Sequence, residues 1–94
     1  MVYIITYDLK KSDRNYDELT KEIQSFGTWW HQTGSVWLIV TSKSTAEVRD
    51  YLRQFIDCND QLFVGQLQRN WAAVGFTNEE YEWLKSLPDI SWNN

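Results

Sequence analysis

An α+β sandwich built on a βαββαβ unit is what the sequence predicts, and three observations carry it. Two runs, Val2–Tyr7 and Val36–Thr41, are apolar or β-branched at nearly every position, as strands are when both faces are covered. Two amphipathic segments with helix-terminating signals follow the first and third β-prone runs. A turn around Gly34 joins the second run to the third. In a split βαββαβ unit the first and third strands are central in the sheet, which is where the doubly apolar runs fall.

Each element has its own warrant. In KKSDRNYDELTKEIQSFG, Tyr16, Leu19, Ile23 and Phe26 recur at helical spacing, which predicts a helix from about Asp13 to Phe26. Ser12 or Asp13 is suited to cap its start, and Gly27 provides a left-handed exit. TWWHQTGSVWLIVT reads as a hairpin turning at Gln32-Thr33-Gly34-Ser35. Ser44 to Glu47 is a capping box, and Val48, Tyr51, Leu52 and Phe55 form the stripe of a second helix. Asp60 to Leu67 is the fourth strand, and NWAAVGF is a short strand or a loop. Thr77 to Glu80 is another capping box, opening a helix with Tyr81, Leu84 and Leu87 on one side and Pro88 as its stop. The fold class is therefore a ferredoxin-like sandwich with a four-stranded antiparallel sheet. A single domain is expected over residues 1–94, with a core at 1–67 and an extension at 68–94 that could dock through Trp92.

Composition restricts the function. A net charge of −4 argues against a long phosphate-tracking surface, because nucleic-acid affinity comes largely from neutralised phosphates. One cysteine, Cys58, allows neither an internal disulfide nor a zinc cluster, and it has no sequence partner to make it reactive. The N-terminal run lacks the basic start and small-residue cleavage site of a secretory signal, and no apolar run is long enough to span a bilayer, so a cytoplasmic location is expected. No phosphate-binding glycine loop or nucleophile elbow is present. Six tryptophans are many for this length. In a bare βαββαβ unit one sheet face has no helix over it, and Trp30, Trp37, Phe63 and Val64 are expected there. A second copy related by a two-fold axis is expected to cover that face, the final helix being the other possible cover.

The candidate sites are few. Asp8, where the first greasy run stops, is either a metal-bridging carboxylate or the acceptor of an Asx-type turn. Lys10, Lys11 and Arg14 are the one basic cluster, able to hold a phosphate beside Asp8 or to remain a solvated loop. His31 is read as an edge-strand histidine rather than a general base, since no nucleophile or carboxylate is placed to complete a unit with it. Trp29, Trp30, Trp37 and Trp71 could stack a nucleotide, although aromatics at strand alternation more often fill cores and interfaces.

The run YDLKKSDR resembles the start of the small CRISPR-associated adaptation protein, a ferredoxin-like dimer that partners the spacer integrase. Asp8 and Arg14 stand where that motif has its Asp and Arg. HQTGSVW resembles the family's Gln, Ser-Val-aromatic hairpin, with one residue more than usual between Gln32 and Ser35. DCNDQLFVGQL resembles the last core strand, which opens after an Asp. The likeness covers about residues 1–67 and extends to the virulence-associated ribonucleases and to stand-alone bacterial homologues. It implies a homodimer whose two Asp8 carboxylates face each other across the axis and share Mg²⁺ or Mn²⁺ for phosphodiester cleavage. For members without that activity it implies a structural platform in defence or toxin–antitoxin systems. The acidic balance and the capped helix after NWAAVGF depart from the adaptation proteins. A non-catalytic platform is therefore favoured over the nuclease, with a Trp-based nucleotide binder third.

Overall fold

The structure, a computed structural model, describes residues 1–10, 16–68 and 71–87. The elements are β1 (Val2–Asp8), α1 (Asp17–Gln24), β2 (Thr28–Thr33), β3 (Val36–Val40), α2 (Thr45–Leu52) continued by a 3₁₀ turn (Arg53–Phe55), β4 (Gln61–Gln66) and α3 (Asn78–Lys85). The sheet order is β2-β3-β1-β4, and every neighbouring pair is antiparallel. This is the α+β, ferredoxin-like arrangement, with the two doubly apolar strands at its centre. The expected α1 start, its Ser12 and Asp13 caps, and the tail with Trp92 lie outside the described residues. Gly34 turns the hairpin at φ +39°, and residues 71–76 form a loop rather than a fifth strand.

Strand alternation sends β1 side chains to two different cores. Tyr3 and Ile5 face α1 and α2, packing with Leu19, Ile23, Trp37, Ile39, Val48 and Leu52. Val2 faces the other way, into a second cluster with Trp30, Leu38, Leu84 and Leu87, against which Ile4, Trp71, Phe76 and Trp83 also pack. The helix stripes account for this. Leu19 and Ile23 of α1 and Val48 and Leu52 of α2 have no exposed surface, whereas Tyr51 turns outward onto Phe26 and Glu22. Both predicted capping boxes are formed, at Ser44–Glu47 and Thr77–Glu80.

The shared open face expected for Trp30, Trp37, Phe63 and Val64 is corrected. Register places Trp37 opposite Ile5, and Ile5 opposite Val64, so Trp37 and Val64 belong to the helix-covered side. Trp30 is on the second face, yet α3 of the same chain buries it to 8% exposure. Of the four, only Phe63 is exposed, at 62%. The final helix thus covers the Val2–Ile4 end of the second face, and among the described residues none covers the Thr6–Asp8 end.

Candidate functional site

Asp8 closes β1 opposite Gln61 of the outer strand β4. By strand alternation it shares the second face with Thr6, Gln61 and Phe63. Around it lies a shallow depression of about 410 Å³ lined by Thr6, Tyr7, Asp8, Gln61, Leu62 and Phe63. The Phe63 ring lies over Gly65, where a Cβ would come within 2.8 Å of it. Phe63 and Asp8 thus line one depression, with the ring directed along β4 towards the Ile4–Gly65 pair rather than onto the carboxylate.

The Asp8 side chain is 60% exposed, and its Oδ2 accepts from Lys10 Nζ at 2.6 Å. Among the described residues it accepts no backbone N–H. The turn-tying role weighed for Asp8 falls instead to Asp60. Asp60 Oδ1 accepts the Lys10 backbone N–H at 2.8 Å. Its Oδ2 accepts from the Asp57 N–H at 2.8 Å and the Tyr16 hydroxyl at 2.9 Å. One carboxylate thereby joins the β1–α1 loop, the entrance of α1 and the α2–β4 loop. The sequence marks Asp60 only as the start of the fourth strand, which the structure begins at Gln61. Its partners are remote in the chain, so spacing alone could not reveal the role.

The other candidates are dispersed. Lys11 and Arg14 lie outside the described residues, so of the basic cluster only Lys10 is placed beside Asp8. His31 Nδ1 lies 2.9 Å from the Val36 carbonyl, which can only accept. Nδ1 therefore carries a proton, and in the neutral ring Nε2 is the acceptor. The ring stacks on Trp37 at 3.9 Å and 4°, and Trp37 Nε1 donates to the Tyr7 hydroxyl at 3.1 Å. His31 is thus held within an aromatic cluster. Cys58 is exposed and free.

A divalent ion such as Mg²⁺ or Mn²⁺ requires several oxygen ligands. Among the described residues no three His, Cys, Asp or Glu side chains gather to hold a metal, and the one acid at the site is already met by an ammonium group. The described residues of a single protomer therefore do not complete a ligand set for the ion.

The family model described as CRISPR associated protein Cas2 matches residues 1–73. The chain belongs to the Cas2 family. Membership supports a role like that of CRISPR adaptation. The matched stretch contains the four strands of this chain with α1 and α2 and ends before α3, so Phe76, Trp83, Leu84 and Leu87 of the cover on the second face lie beyond the match. No solved structure matches the chain. No helix among the described residues is long and apolar enough to cross a membrane.

Proposed function

We propose that this Cas2-family chain acts as a homodimeric, non-catalytic platform for a protein or nucleic-acid partner in a prokaryotic defence or toxin–antitoxin setting. The state of Asp8 carries this reading: one exposed carboxylate, paired to Lys10 at 2.6 Å, where the described residues gather no group of three His, Cys, Asp or Glu side chains. A second copy has the end of the sheet that no described residue covers to meet, where the exposed Phe63 and Asp8 line one depression. The net charge of −4 favours a protein partner over a long nucleic-acid contact. The test is partner capture by the Asp8→Asn variant, assayed beside its sedimentation behaviour. Capture and dimer should both survive, and loss of capture with an intact dimer rejects the platform.

A second reading, a Mg²⁺- or Mn²⁺-dependent nuclease, is favoured by Asp60 accepting the Lys10 N–H while Asp8 accepts no backbone N–H among the described residues. The Asp8 carboxylate, whose Lys10 pair is half exposed and replaceable, would then converge with the Asp8 of a second copy. That reading expects metal-dependent cleavage of RNA or DNA that Asp8→Asn abolishes while the dimer persists. Equal cleavage by parent and variant ends it.

A further inference from the structure

Among the described residues, every hydrogen bond and ion pair made by residues 73–87 stays inside that segment. The Tyr81 hydroxyl donates to the Ala73 carbonyl at 2.9 Å, and its ring meets Phe76 edge-on at 5.9 Å. A capping box between Thr77 and Glu80 closes the start of α3. The last backbone tie to β1 comes earlier, from the Leu67 N–H to the Val2 carbonyl at 2.8 Å. What seats α3 is therefore apolar contact alone, with Phe76, Trp83, Leu84 and Leu87 against Val2, Trp30 and Leu38. That seat has a defect, because Trp30 Nε1 is buried with no hydrogen-bond partner. The sheet itself is complete without α3: its strands pair with one another, and the main core lies on its other side.

We infer that residues 73–87 are a flap that lifts off the sheet as one unit, and that its closure holds a second copy away from Trp30 and Leu38. Opening free energies differ between parts of a fold, and a segment held on one apolar side opens more readily than strands paired on both edges. Lifting breaks no hydrogen bond to the sheet and gives the Trp30 indole an acceptor in water, so apolar burial alone opposes it. A helix of eight residues is marginal by itself, but its capping box and the Tyr81–Ala73 bond travel with it. The closed flap and a second copy compete for the same residues, and the competition is reciprocal. The competition rests on the homodimer reading, whereas the lifting does not.

The test is native-state hydrogen exchange on the full chain, read at the amides of residues 81–85, the Trp30 indole N–H and the amides of β1 and β3. The α3 amides and the Trp30 indole should share one opening constant, on the order of a hundredfold larger than that of the central strands. Leu84→Ala should raise the shared constant about thirtyfold or more, as for an emptied leucine site, and leave β1 and β3 unaltered. Exchange of α3 in step with β1 and β3 overturns the flap, and so does a Trp30 indole that stays protected while α3 exchanges. Sedimentation of the same two proteins reads the competition. Leu84→Ala should dimerise several-fold more tightly than the parent, and equal or weaker association overturns the role of closure. Monomers in both cases with the exchange pattern intact would sink the homodimer reading and the competition with it, and the flap would stand.

Discussion

Asp60 holds three donors from three parts of the chain, the Lys10 and Asp57 N–H groups and the Tyr16 hydroxyl, on one side chain. Removing it strands two backbone donors and a hydroxyl in a half-buried loop junction. Asp60→Ala should cost about 2–3 kcal/mol in chemical denaturation, since each orphaned group costs roughly 1 kcal/mol or more. The Lys10 and Asp57 amides should show faster exchange in the same variant. Glu47 gives a second residue-scale expectation. Backbone and side-chain hydrogen bonds with Ser44 hold its carboxyl below the usual 4.5, opposed by slight desolvation and aided by Lys43. A depressed folded value means that the stabilisation is complete above 4.5 and is lost as pH falls through the lower folded value. The thermal stability gap between the parent and Glu47→Gln should therefore be present at neutral pH and close in acid.

At the scale of elements, the two capping boxes make separable predictions. Ser44→Ala and Thr77→Ala should each cost about 1 kcal/mol of helix stability. The first should lower the melting temperature of the domain, because α2 packs into the main core through Val48 and Leu52. The second should chiefly loosen α3, read as exposure of Trp30 and Trp83 to a fluorescence quencher. Leu84→Ala, which empties a side chain that is 4% exposed, should cost about 2–4 kcal/mol and do the same more strongly. The elements themselves were legible because hydrophobic period, caps and turn glycines are local signals. Which way a side chain points was not. A run such as Val36–Val40, apolar on both sides, contains no parity signal, and only the pairing of Trp37 with Ile5 decides its face. Phe63 and Val64 are adjacent in a strand and so could never have shared a face. The candidate site was legible at Asp8 and Lys10, whose proximity is local, and illegible at Asp60, whose partners are brought by the fold.

At the scale of the whole molecule, two apolar clusters lie on opposite sides of one sheet, and the second is closed by residues outside the family-matched stretch. An arrangement of two copies through the full sheet face would need α3 to leave. On the proposed homodimer reading, and with α3 in place, the part of this face that the described residues leave for a second copy is the end that carries Thr6, Asp8 and Phe63. Sedimentation should therefore show a dimer weakened by Phe63→Ser and largely unaffected by Trp37→Phe, whose ring is 2% exposed on the other side. Equal weakening by both, or by neither, would refute that location.

The helix that seals Trp30 is joined to the sheet it covers by only the short stretch between Gln66 and Asn78. A tethered occupant of that kind competes at a local concentration in the millimolar range, whereas a free rival at micromolar abundance starts about a thousandfold behind. Whatever visits this surface must either settle for the margin left uncovered or bring enough binding energy to evict the resident. The same short tether lets the surface close again as soon as the visitor departs.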